Sequence, residues 1–190
     1  MTRACGDCQL CCKIVPVKEI GKPANQRCPH QKFKVGCAIY AKRPHSCRMW
    51  SCAWLALEAA APLRRPDRTH YVIDCMPDYV RLVDDDTGKT FEIPVWQIWL
   101  EAGWPNAHRD PALRTFLDAQ YKSNGMAALV RDPGNNDALF LMPPSGSNDG
   151  EWHEMRSNFR PEMQHTQADI NRVLHDSGVK VTQVMEEDNA

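Results

Sequence analysis

No apolar run in this 190-residue chain approaches the ~18 residues that a membrane span requires. The opening MTRACGDCQ lacks the apolar stretch of a secretory signal, which points to a cytoplasmic protein whose thiols stay reduced. No glycine-rich phosphate loop, nucleophile elbow or dinucleotide fingerprint occurs, so the usual marks of nucleotide-binding and acyl-transfer enzymes are missing. His153-Glu154 has no second histidine at metalloprotease spacing. Internal repeats and low-complexity linkers are absent as well. Acidic residues are scarce in one place. Residues 1–52 hold only Asp7 and Glu19 against ten Lys and Arg, a balance of +8, while the rest of the chain stands at −9.

Cysteine is what the chain has in excess. Of nine cysteines, eight fall before residue 53: Cys5, Cys8, Cys11, Cys12, Cys28, Cys37, Cys47 and Cys52. Cys75 stands apart. A disulfide framework would need an oxidising compartment and would normally leave no thiol over. Metal binding fits both the count and the confinement to one end. The Cys5/Cys8 and Cys8/Cys11 pairs have the Cys-x-x-Cys spacing that lets a tight turn chelate one ion. Cys11 and Cys12 are adjacent, so their side chains leave the backbone in different directions. That points to two neighbouring sites, or one polynuclear site, with these two cysteines divided between them. Cys28, Cys37, Cys47 and Cys52 must return from a distance to complete the ligand set.

The identity of the metal stays open between zinc and an iron–sulfur cluster. Cys5, Cys8 and Cys11 match the start of the bacterial ferredoxin pattern and Cys28 precedes a proline, but the spacing between them departs from it. The radical-SAM spacing fails because Val15 stands where its third cysteine belongs. Four-thiolate structural sites favour zinc in general. Either choice alters the charge of the segment. Two tetrathiolate sites would reduce +8 to about +4, so much of the basic excess reads as compensation rather than as a nucleic-acid footprint.

CGDCQLCC, followed by CPH, GCAIYAKRPHSCRMWSC and AWL, resembles the YkgJ-like CxxCxxCC cysteine-cluster family of bacterial proteins. The resemblance spans about residues 5–57 and includes the eight cysteines, Gly36, Tyr40, Arg43-Pro44 and Arg48. It implies a zinc- or iron-chelating domain without an agreed reaction, and it assigns Cys75 no role.

Around the cysteines, Arg43 and Arg48 flank Cys47 and are candidates to donate hydrogen bonds to metal-bound thiolates. His30 and His45 are substitute ligands of lower rank, because eight thiols are already available. Tyr40 reads as packing, and Cys75, among strand-forming residues, as a buried small hydrophobe. Asp84-Asp85-Asp86 reads as a solvated hairpin turn. His165, Asp169 and Arg172 read as one face of an exposed helix. Trp50, Trp54, Trp96, Trp99 and Trp104 are expected to pack in the core and shield the cysteine segment from water.

The pattern predicts a helix over 47–57, strands over 69–76, 79–86 and 90–95, and a short helix over 96–103. A further helix capped by Asp110 with Pro111 at its first position should end at Asn124-Gly125. Strands over 126–132 and 137–143, a third near 151–156 and a final helix over 161–178 complete the expectation. The fold class is α+β, with an N-terminal metal-bound cysteine-rich segment (1–57) packed on a small, mostly antiparallel sheet with several helices. The remainder (58–190) should form one compact unit with it. The function expected is a metal-binding (zinc or iron–sulfur) cysteine-cluster protein with the metal in a structural role. The alternatives are an iron–sulfur oxidoreductase or protein-modifying enzyme, and a zinc-dependent nucleic-acid-binding module. A protein partner is compatible with this reading, nucleic acid is disfavoured, and no membrane is expected.

Overall fold

A computed structural model describes residues 3–83, 90–131 and 138–157. The fold is α+β. In chain order its elements are α1 (Leu10–Ile14), β1 (Gln31–Lys32), β2 (Gly36–Cys37), α2 (His45–Met49), α3 (Ala53–Ala56), α4 (Pro66–Thr69), β3 (Tyr71–Val83), β4 (Thr90–Leu100), α5 (Pro111–Asn124), β5 (Ala127–Arg131), β6 (Ala138–Met142) and β7 (His153–Ser157), with short 3₁₀ turns between them. β1 and β2 form a small hairpin, and β3 to β7 form a five-stranded sheet in sequential order. All neighbours in that sheet are antiparallel except β4 and β5, which are parallel. A parallel pair needs a crossover, and α5 supplies it. Asp110 accepts the Ala112 amide at 3.0 Å, Pro111 opens the helix, and Gly125 closes it at φ 65.

The sheet buries both faces where the strands are longest. On one face Tyr71, Ile73, Trp96, Ile98, Leu100, Ala128, Val130, Leu139 and Leu141 pack with Leu113, Phe116 and Leu117 of α5 and with Ala53, Leu57, Ala60 and Leu63. On the other, Val72 carries Leu10 and Ile14 of α1 together with Cys8 and Cys52, flanked by Trp50, Trp54 and Trp99. Farther along that face, Val80, Val95, Ala127, Leu129, Ala138 and Phe140 form a second apolar cluster. The cysteine segment is therefore docked on one end of one sheet face, with the α5 layer on the opposite side.

Two expectations are corrected. Residues 96–103 do not form a helix: 96–100 are the end of β4, paired with Tyr71–Asp74 on one side and with β5 on the other. A lone amphipathic helix buries one stripe, whereas a central strand buries Trp96 and Ile98 on one face and Val95 and Trp99 on the other. The β-branched and aromatic side chains fit the second arrangement. The helix expected over 47–57 is also broken, into α2 and α3 with an extended Trp50–Cys52 between them. The break comes from the sheet. Cys52 makes a β-bridge to Asp74, and the Trp50 indole donates to the Asp74 carboxylate at 2.7 Å, which a continuous helix would forbid.

The remaining strands and α5 stand where the sequence puts them, although the two strands expected over 69–86 are one strand, β3, with a bulge between Asp74 and Asp78. The Asp84–Asp86 turn, the turn at 133–136, and the final helix with His165, Asp169 and Arg172 lie outside the described residues. Among the described residues no helix is long and apolar enough to cross a membrane.

Candidate metal centre

The first four candidate thiols gather by local turns. The Cys8 amide donates to the Cys5 carbonyl at 2.9 Å, and Gly6 takes φ 54 inside that turn, a conformation a side chain would strain. α1 then starts at Leu10 and is pinned to Val72 by Leu10 and Ile14, which fixes Cys11 and Cys12 on its first turn. Cys52 arrives from the chain end bridged to Asp74. Cys5, Cys8, Cys11 and Cys52 line one small, partly open cavity of about 10 Å³, together with Trp54, Pro66 and Val72 among others. That is room for roughly one water-sized sphere.

Cys12 faces a different group. The Cys28 amide donates to the Cys12 carbonyl at 2.9 Å, and the thiols of Cys12, Cys28 and Cys47 lie within electrostatic reach of one another and of the Lys22 ammonium. Cys37 sits on β2 opposite Gln31, whose amide donates to the Cys28 carbonyl at 3.0 Å. The β1–β2 hairpin thus carries Cys28 and Cys37 close in the backbone. Cys11 and Cys12 fall into different groups, but their thiols hydrogen-bond one another, so the two groups share a wall. Among the described residues no three His, Cys, Asp or Glu side chains converge closely enough to grip an ion as they stand. The thiols lie in two adjoining groups, and neither group closes on a point.

The electrostatics follow from that arrangement. Burial pushes the Cys8, Cys47 and Cys5 thiols up, with neighbouring sulfurs adding to the rise at Cys5. Burial lifts Cys52 to about 11, against the opposing pull of the Leu55 amide. The hydrogen bond to Cys12, and then burial, raise Cys11 well above the ordinary range, while the same bond, with Lys22 and Arg43, lowers Cys12 to about 7. Gathering thiolates here without a counter-charge is unfavourable, and a bound cation removes that cost. Backbone amides already face the sulfurs: those of Leu10 and Asp67 at Cys8, and that of Leu55 at Cys52. Such donors stabilise metal-bound thiolates.

The flanking residues divide. Arg43 acts on Cys5 and Cys12 electrostatically, lies over the Tyr40 ring at 3.9 Å, and leaves its Nε buried with no hydrogen-bond partner among the described residues. A thiolate would satisfy that donor. Arg48 is exposed. His45 lies near Glu19, which accepts from the Ser46 amide and hydroxyl, and His30 offers its carbonyl to the Ala38 amide. Cys75 belongs to the α5-side core. Tyr40 is exposed rather than packed inside, and Trp104 is half exposed, against the expectation of a core role.

Two residues escaped the sequence reading. Lys22 is buried at 4% exposure, and its ammonium donates to the carbonyls of Val15, Lys13 and Pro23 beside Cys12 and Cys28. Arg65 lies near Cys5 and Cys8 and is held by Asp67 at 2.7 Å and Asp7 at 2.6 Å. A lysine between Gly21 and Pro23 looks like any turn residue, and its place becomes visible only when the turn folds back to pair Lys22 with Val17 and its ammonium reaches the Lys13 and Val15 carbonyls. No family model, no curated protein and no solved structure matches the chain.

Proposed function

We propose that this chain is a metal-binding protein in which Cys5, Cys8, Cys11 and Cys52 hold one ion and Cys12, Cys28, Cys37 and Cys47 hold a second. The metal's role is structural. The observation that carries the reading is the first cavity. Four thiols from two separate stretches of chain, 5–11 and 52, line a space of about 10 Å³, with amide donors at the sulfurs and the Arg65 charge within reach. A space for one sphere suits a mononuclear tetrathiolate such as zinc better than a cubane cluster, which would have to push the walls apart. The loss of thiol protons on binding couples metal affinity to pH.

The structural role rests on how little else orders the segment. Among residues 3–46 the buried side chains are Cys8, Gln9, Leu10, Ile14 and Lys22, so metal bonds supply the order that an apolar core does not. Eight thiols for two ions leave no open coordination position, whereas a catalytic zinc usually keeps one.

Cys8→Ser and Cys28→Ser separate the two centres. Each single variant is expected to lose about one of the two ions by elemental analysis, and the double variant both. If either single variant kept its full metal content, or lost everything at once, the division into two centres would be wrong.

A further inference from the structure

Away from the thiols, an open groove of about 590 Å³ lies between α4 and the loop that leads into α5. Arg64, Arg68 and Arg109 stand on its rim, and His70 and Trp104 form part of its wall. Among the described residues the only carboxylate lining it is Asp110, which is already engaged by the Ala112 amide at 3.0 Å and the Tyr71 hydroxyl at 3.3 Å. Arg64 approaches Asp110 only to 3.8 Å, and Arg109 is held from outside the groove by Glu154 at 2.9 Å. Arg68 is exposed and makes no close ion pair among the described residues, with Asp7 within its electrostatic reach. Three arginines lining one open groove that holds a single, already committed carboxylate leave an excess of positive charge there, which suits an anion, and a phosphate in particular.

The wall adds a second requirement. His70 and Trp104 stack with centroids 3.7 Å apart and planes 2° from parallel. The stack is anchored: His70 Nδ1 meets Glu101 Oε2 at 2.7 Å, and Glu101 is paired in turn with Lys13 of α1. Trp104 is nevertheless 51% exposed, although one of its faces is covered by the imidazole. A rigid, half-exposed indole at the edge of a cationic groove is a stacking surface for a planar ring. The volume lies within the usual range for small-ligand sites.

We propose that this groove binds a small ligand joining a phosphate to a planar ring, the chemistry of a mononucleotide, with the arginines on the phosphate and Trp104 under the ring. This site does not depend on the metal reading, since none of its residues is a candidate ligand. The Glu101–Lys13 pair nonetheless ties its aromatic wall to the helix that carries Cys11 and Cys12.

Isothermal titration of the full chain, as purified and at low salt, with ADP, pyrophosphate and adenosine as probes tests it. ADP should bind tightest, pyrophosphate less well and adenosine weakest. Arg68→Ala should weaken ADP and pyrophosphate by about tenfold, and Trp104→Ala should weaken ADP by a similar factor while leaving pyrophosphate unchanged. Both positions are exposed, so neither variant threatens folding, and Arg81→Ala on β3 serves as a charge-loss control and should bind like wild type. No ADP binding at millimolar concentration would overturn the proposal. So would ADP binding that survives Arg68→Ala, or that ignores Trp104→Ala. Equal weakening by Arg81→Ala would reduce the effect to nonspecific charge attraction and overturn it too.

Discussion

The Trp50 indole N–H donates to the Asp74 carboxylate at 2.7 Å, joining the loop between α2 and α3 to the bulged start of β3. The same oxygen accepts the Met76 amide at 2.8 Å, and the neighbouring Cys52 bridges Asp74 through the backbone. Burial raises the Asp74 carboxyl to about 6, against the pull of these donors. This is the polar joint between cysteine segment and sheet.

Replacing the indole removes one of two donors to a buried carboxylate oxygen. Trp50→Phe is expected to cost about 1.5–3 kcal/mol, the range for a lost bond to a charged group, read as a lower urea midpoint. Asp74→Asn keeps an oxygen for both donors and should cost less. Equal stability of wild type and Trp50→Phe would mean that the joint holds nothing.

Lys22→Met removes the ammonium that serves the Lys13, Val15 and Pro23 carbonyls and faces Cys12, Cys28 and Cys47. Stability should fall by about 2 kcal/mol or more, since buried acceptors are left open. A chelator should then strip the Cys12 group's metal sooner than that of the Cys5 group. Unchanged release kinetics would separate Lys22 from the second centre.

His108 is 3% exposed, and neither ring nitrogen has a hydrogen-bond partner among the described residues. Burial lowers its pKa below 6.5, with Arg114 and Arg109 pushing the same way and Glu154, 3.7 Å from Nε2, opposing. The folded state thus binds the proton less readily than the unfolded chain. Its contribution is complete above about pH 6.5 and is lost as pH falls below that value. His108→Leu should lose less stability than wild type between about pH 7 and pH 5, measured as paired urea midpoints. Asp74 titrates near the same window with opposite sign in both proteins, so the difference between them isolates His108. Identical acid sensitivity would rule His108 out as its source.

Cys75 is the thiol that metal should not need. It lies in the α5-side core, and burial pushes its pKa up. Cys75→Ala should retain full metal content, and in wild type Cys75 should resist alkylation until the chain unfolds. Loss of metal in Cys75→Ala would add a ninth ligand and break the two-centre division.

The sequence carries much of this arrangement, for identifiable reasons. α5 was readable because Asp110, Pro111 and Gly125 mark both ends locally. β5 and β6 were readable as short apolar runs between turn residues. The end of β4 is ambiguous in sequence because Trp96, Ile98, Trp99 and Leu100 suit either a helix stripe or a doubly buried strand, and only pairing with Tyr71–Asp74 decides. The helix over 47–57 failed for a nonlocal reason, the pull of Asp74 on Trp50 and Cys52. Adjacency of Cys11 and Cys12 suggests two neighbouring sites or one polynuclear site, and in the structure Cys11 lines the cavity with Cys5, Cys8 and Cys52 while Cys12 lies by Cys28 and Cys47. Which distant thiols join each group is not legible in the sequence, because it depends on where β3 receives Cys52 and where the Lys22 turn receives Cys28.

The most direct test of the central claim is elemental analysis with a visible spectrum on protein purified without oxygen and without added metal. The account predicts about two zinc ions per chain, no absorbance near about 400 nm, and loss of folded structure when a chelator removes the metal. A metal-free chain that unfolds cooperatively at the same midpoint with or without chelator would contradict it.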